Sequence, residues 1–320
     1  MRFITLAAAS LASVSLVSPA FSQSPTPQAA GSGATQAQFA ITVLEPGAEP
    51  RREFRYDLEA GQTEAMVMRM AVDQSIAADG VMGREMTLPT MVMELDLETT
   101  ELATGEGEKP EGTIEATFEF VSLSASDREG SPEGSAEMIT EALGGYTTVS
   151  GGLTLEPTGR LTQLRIDANP ETPPAVQQSL MQTVAALRNV FTPFPDEAVG
   201  VGAQWRIDMV IPFPSFTMAQ RIEYTLEEID GDVVTLSMEV SQGAPGEQTI
   251  EDTRGEWESE VAEISGGGEG SVVIDLKRLA PVESDLTISS RVVVNSTQGD
   301  RTAQTVVQSA TRVATTGEKK

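Results

Sequence analysis

Most of the chain alternates apolar and polar residues with a period of two, the pattern of half-buried β-strands. Met66, Met68, Met70 and Val72 share one face of such a strand, while Arg69 and Asp73 point the other way. Met91, Met93, Leu95 and Leu97 alternate with Glu94, Asp96 and Glu98, and Ile114, Ala116, Phe118 and Phe120 alternate with Glu115, Thr117 and Glu119. Leu286, Ile288, Val292 and Val294 repeat the pattern near the C-terminus.

Two turns fix expected registers. At Pro157-Thr158-Gly159 a three-residue loop places Leu155 opposite Leu161 and Glu156 opposite Arg160, a favourable cross-strand pair. The same grammar at Ile229-Asp230-Gly231 places Leu226 opposite Val234, with Gly231 supplying the positive φ that the third position needs. A two-residue Asp230-Gly231 turn would instead set Leu226 against Thr235 and split the apolar faces.

The pattern changes to a helical stripe once. Thr172 caps Pro173-Pro174, Val176, Leu180, Val184, Leu187 and Phe191 fall on one face, and Pro193 and Pro195 end the run. A second, shorter helix is expected over 135–143. Residues 23–38 read as a disordered leader and 315–320 as a polar, disordered tail, with one β-rich domain over 39–314. At a constant offset of 168, six identities fall within 21 positions from Phe54 to Gln74, which suggests related halves at 39–168 and 199–314. The expected class is therefore mainly β. It is a curved antiparallel sheet or open β-barrel, or two related β-halves, with one covering α-helix near 172–192.

Pro195 and Val199-Gly200-Val201-Gly202-Ala203-Gln204-Trp205 resemble the Pro…Val-x-x-Gly-x-x-Trp stretch of a family of exported bacterial proteins of unknown function. That family also opens with an x-Tyr-x-Leu strand, here Arg55-Tyr56-Asp57-Leu58, and has a Gly-turn hairpin before its helix. The likeness spans about residues 50 to 313. It implies a β-rich fold and no catalytic residues. Ala203 stands where the family usually has an acid.

The first residues, Met1-Arg2-Phe3, lead into an apolar run from Ile4 to Val17 and a small-residue exit at Ala20 and Ser22. This is the layout of a signal peptide over 1–22, cut after Ser22, and it predicts a periplasmic or secreted protein. The run is shorter than the ~20 residues that span a bilayer, and no other long apolar run follows, so no integral membrane segment is expected in the mature chain. Removing residues 1–22 takes away Arg2 and no acid, leaving 20 basic against 48 acidic side chains, a net charge of −28. Such a surface repels nucleic acid and anionic membrane. It suits solubility, or weak calcium binding through oxygen ligands, although no Asp-x-Asp-x-Asp-Gly loop occurs. Zero Cys leaves stability to the core alone.

Missing residue types close off much chemistry. Without His or Cys, Ser-His-Asp and Cys-His mechanisms are impossible, as are metal sites that need imidazole or thiolate. Lys occurs only at 109, 277, 319 and 320, never three residues after a Ser. Two carboxylates across a cleft could still hydrolyse a glycoside. The run Gly266-Gly267-Gly268-Glu269-Gly270 lacks the Lys-Ser/Thr of a phosphate loop and reads as a mobile hairpin tip. Clustered methionines can line a cavity for an irregular apolar ligand or simply fill a core. The candidate lining is Met66, Met68, Met70, Met91 and Met93 with Leu180, Val184 and Leu187 of the helix. The sequence thus points to an exported, non-enzymatic binding protein without cofactor, taking an apolar ligand or an envelope protein partner. A carboxylate-dependent hydrolase of envelope polysaccharide and a structural or cation-buffering envelope protein stay open beside it.

Overall fold

A computed structural model of the chain describes residues 40–103, 111–143, 149–167, 190–212, 216–251 and 258–320. The first strands are β1 (Ala40–Glu45), β2 (Thr63–Ala78), β3 (Val81–Thr87), β4 (Thr90–Leu102) and β5 (Ile114–Ser126). Helix α1 (Ser135–Leu143) precedes β6 (Ser150–Leu155), β7 (Leu161–Asp167), β8 (Gln204–Pro212) and β9 (Thr217–Asp230). Then come β10 (Val233–Gly243), β11 (Gln248–Glu251), β12 (Glu258–Asp275), β13 (Glu283–Gln298) and β14 (Arg301–Lys319). All strands join one antiparallel sheet in the order β1-β8-β9-β10-β12-β13-β14-β2-β4-β5-β6-β7, with β11 beside β12 and β3 beside β2. The sheet does not close, and the class is the expected one: a curved, open antiparallel sheet with a single described helix.

The alternating positions land where their period places them. Met66, Met68, Leu95, Leu97, Phe118 and Phe120 are at most 2% exposed, in a core shared by β2, β4, β5 and β6. A second core over β8, β9, β10 and β12 centres on Trp205, Tyr224, Leu226 and Leu236. A third, smaller core gathers Phe216, Met218, Val261, Ile264, Val292 and Val294. Helix α1 lies on β5, where Thr140 Oγ1 accepts the Ala125 N–H at 2.9 Å and Asp127 Oδ1 accepts the Ala136 N–H at 3.2 Å.

The Pro157-Thr158-Gly159 hairpin has the expected register, Leu155 opposite Leu161, with Arg160 paired to Glu156. The second hairpin does not. Leu226 opposes Leu236, and the turn is Gly231-Asp232 between Asp230 and Val233. Gly231 keeps its positive φ, +61°, at the first central position of a two-residue turn. A bulge where Glu228 pairs Thr235 and Leu226 pairs Leu236 restores the parity that a two-residue turn alone would break.

Three further expectations change. Gly266 to Gly270 lies inside β12, not at a hairpin tip. A Cβ on Gly268 would stand 2.2 Å from the Thr287 carbonyl oxygen, so β13 approaches more closely than any side chain allows. The stretch 315–319, expected as tail, completes β14 against β2, with Thr315 opposite Met68 and 2% exposed. Tyr56 to Leu58 is not a ladder strand: Tyr56 N–H donates to Pro157 O and Asp57 N–H to Leu276 O. The hairpin equivalence implied by the offset of 168 is therefore not made, since β2 pairs β14, β3 and β4 instead.

Of the helix expected near 172–192, residues up to 189 lie outside the described set, as do residues 1–38, where a signal peptide and a leader are expected. Val190 to Thr192 are not helical. Phe191 is buried in the methionine core, and the Thr192 carbonyl accepts from the Tyr56 hydroxyl at 3.4 Å.

Candidate functional site

The methionines proposed as a cavity lining do come together. Met68 opposes Met93 and Met70 opposes Met91 across β2 and β4, with Met66 beside Leu95. All five are between 0 and 8% exposed and pack among Leu97, Phe118, Phe120 and Leu123, as a filled core does. Leu180, Val184 and Leu187 lie outside the described residues.

The Val199-to-Trp205 segment is likewise architectural. The Gly202 N–H donates to Leu226 O at 2.7 Å and the Leu226 N–H donates to Ala203 O at 2.9 Å, which ties the turn to β9. The turn delivers Trp205 into a row of rings: it stacks on Tyr224 at 5.5 Å and meets Phe194 at 6.0 Å, and Phe194 stacks on Phe54 at 5.3 Å. Burial pushes the Tyr56 and Tyr224 phenols up, so both remain neutral hydroxyls. Ala203 is fully buried, and a carboxylate in its place would have to be desolvated.

An unexpected feature crosses the sheet at right angles to its strands. Met209, Gln220, Gln242, Gly266, Ser290, Ser309, Gln74 and Met86 are directly opposed in turn from β8 to β3. This rung points to the core side, yet it is polar between two apolar neighbours. Ile222, Val240, Gly268 and Ile288 form the rung on one side, and Ile264, Val292, Val307 and Ile76 the rung on the other. From β8 to β13 its side chains bond one another. Ser290 Oγ donates to Gln242 Oε1 at 2.5 Å, Gln242 Nε2 donates to Gln220 Oε1 at 3.0 Å, and Gln220 Nε2 approaches Met209 Sδ at 3.9 Å. Gln220 is only 6% exposed, so these bonds replace water that it has lost.

Gly266 makes the crossing possible. It lies between Gln242 and Ser290, and a Cβ there would fall 2.6 Å from Gln242 Oε1 and 2.7 Å from the Ser289 carbonyl oxygen. Gly266→Ala should therefore cost about 1–3 kcal/mol by overpacking. The expected reading is a lower midpoint in urea unfolding with an unchanged slope.

On the opposite face the two adjoining rungs form a trough. One runs through Ala219, Gly243, Ser265, Arg291, Gln308 and Ser75, the other through Arg221, Ser241, Gly267, Ser289, Ala310 and Asp73. Alanine, glycine and serine leave hollows of about 640 Å³ over β12, β13, β14, β2 and β3 and about 700 Å³ over β1, β8, β9 and β10. Together they cover the same three rungs across nine strands, roughly 38 Å at ~4.8 Å per strand spacing. No single strand encodes this band; it exists only through the registers.

The charges bordering the trough are largely committed. Asp73 accepts from Arg128 at 2.7 Å, and Arg291 lies 3.6 Å from Glu263. Asp208 is 2.7 Å from Arg206 and 2.8 Å from Arg221. Desolvation pushes the Asp208 carboxyl up, but hydrogen bonds and charge from Arg221 and Arg206 outweigh it and hold the carboxyl below its ordinary range. Among the described residues no group of three or more acids is placed to hold a metal ion, and no helix is long and apolar enough to cross a membrane.

No family model and no curated protein matches the chain. The crystal structure of Acinetobacter baumannii OccAB4 is similar over 82% of this chain and 99% of that one, at 7% identity and a TM-score of 0.19, a likeness that carries no argument.

Proposed function

We propose that this is an exported, non-enzymatic binding protein and that it binds an elongated partner along the trough on the face away from its core. The observation that carries this reading is the pair of adjoining rungs, rich in alanine, glycine and serine, whose hollows follow one another across nine strands, backed on the core side by a polar rung that fixes their register. Ligand sites are concave, largely pre-formed and few. A carboxylate hydrolase fits less well, because Asp73 and Asp208 are already held by arginines. An apolar ligand among the methionines fits less well too, because those side chains already contact one another and the aromatic residues around them.

The test uses the full chain purified from its native envelope under mild conditions. Ala310, exposed on β14 within the trough, is replaced by Trp; Val121, 50% exposed on β5, receives the same change as a control. A component that co-purifies with the wild type and with Val121→Trp should be lost from Ala310→Trp. Identical contents in all three preparations would remove the trough as the site.

A further inference from the structure

We infer that the partner in the trough is a cationic polypeptide segment, an inference that rests on the trough being the binding site. The next rung beyond Ser241 and Gly267 on the same face is Glu223, Glu239 and Glu269, directly opposed on β9, β10 and β12. Like charges directly opposite each other destabilise a sheet, so this rung lowers stability along one wall of the trough. Arg206 opposes Glu223 but is ion-paired with Asp208 at 2.7 Å. Among the described residues no basic side chain lies within ion-pair distance of any of the three glutamates, and Glu239 and Glu269 are exposed.

The two arginines inside the trough do not reverse its sign. Arg221 is bonded to Asp208, which in turn pairs Arg206, and Arg291 lies 3.6 Å from Glu263. The whole chain adds a net charge of −27, which steers cations toward this face and repels anions. A floor of Ala219, Gly243, Gly267, Ser289 and Ala310 leaves room for a polypeptide backbone to lie close while its lysines or arginines reach the glutamate wall. The trough has no aromatic side chain among its lining residues, so it lacks the stacking platform that a neutral glycan would use. Charge complementarity therefore selects a basic peptide.

The probe is a fluorescent lysine-rich peptide of about 12 residues, the extended length that spans the trough. A matched peptide carries Glu at every Lys position. Anisotropy is read with the full chain at about 50 and about 300 mM salt. The lysine peptide should bind and weaken with salt, and the glutamate peptide should not bind. Glu223→Gln, Glu239→Gln and Glu269→Gln together should weaken binding about tenfold or more while raising Tm, as relief of like-charge repulsion requires. Neutralising Glu94, Glu98 and Glu119 instead removes the same charge from β4 and β5 and should change affinity no more than about twofold. Equal losses in the two triple variants, equal binding of both peptides, or no binding of the lysine peptide would overturn the inference. If Ala310→Trp still releases the native component while the lysine peptide fails to bind, the trough stands and the cationic partner falls. If Ala310→Trp changes neither, the trough itself falls.

Discussion

Trp205→Ala is expected to cost about 3–5 kcal/mol, the range for removing a large buried ring. Trp205 is fully buried, and its ring lies between Phe194 and Tyr224. Its Nε1–H donates to the Pro193 carbonyl oxygen at 3.2 Å, so truncation opens a cavity and also strands a buried acceptor. The ring row joins three distant parts of the chain: Phe54 before β2, Phe194 between β7 and β8, and Trp205 and Tyr224 in the sheet. Trp205→Phe keeps the stacking and loses the hydrogen bond and part of the volume, so it should cost distinctly less. Chemical unfolding of the two variants checks the order; equal losses would mean that the hydrogen bond, not the ring, holds this core.

The second large effect sits at Glu64, 1% exposed at the start of β2. Its carboxylate accepts the backbone N–H groups of Leu279 at 2.7 Å and Ala280 at 2.9 Å, and the Gln62 side chain at 2.6 Å. Arg278 Nε lies 4.0 Å away, with no hydrogen-bond partner of its own. One buried anion thus ties β2 to the β12–β13 connection, next to the end of the β14–β2 ladder, where Lys319 opposes Glu64. Glu64→Ala leaves two buried N–H groups and a nearly buried guanidinium uncompensated and should cost about 3–5 kcal/mol. Calorimetry should show a Tm lower by about 5–15 °C. Glu64→Gln keeps an acceptor but not the charge and should fall between wild type and Ala. A Glu64→Ala variant as stable as wild type would mean that this latch contributes nothing.

Much of the sheet was legible in the sequence because strand faces announce themselves by period. Met66 to Val72, Met91 to Leu97 and Ile114 to Phe120 needed only alternation, and the Leu155–Leu161 hairpin needed only one glycine and a charge pair. What failed had physical reasons. The bulge at β9 is invisible to a parity argument, because it restores the parity that the turn had broken. The glycines of β12 have no side chains to show a period, and their role depends on how closely β13 approaches. Thr315 is polar yet buried, so composition alone labels its segment a tail.

The polar rung did leave a signal. Gln220 lies between Met218 and Ile222 on the core face, Ser290 between Ile288 and Val292, and Gln242 two residues after Val240. A polar residue at a core position in successive strands marks a line across the sheet, but only once the strand order is known. The trough had no signal in any one segment, since serine, alanine and glycine on an exposed face are ordinary.

Single-cysteine labelling tests the proposed binding along the trough most directly, in a chain that has no cysteine of its own. Ala310→Cys and Val121→Cys are each reacted with a thiol reagent, with and without an extract of the source cells. The extract should slow labelling at position 310 about tenfold or more and leave position 121 unchanged, as an occupied trough requires. Equal labelling at both positions, with or without extract, would contradict it.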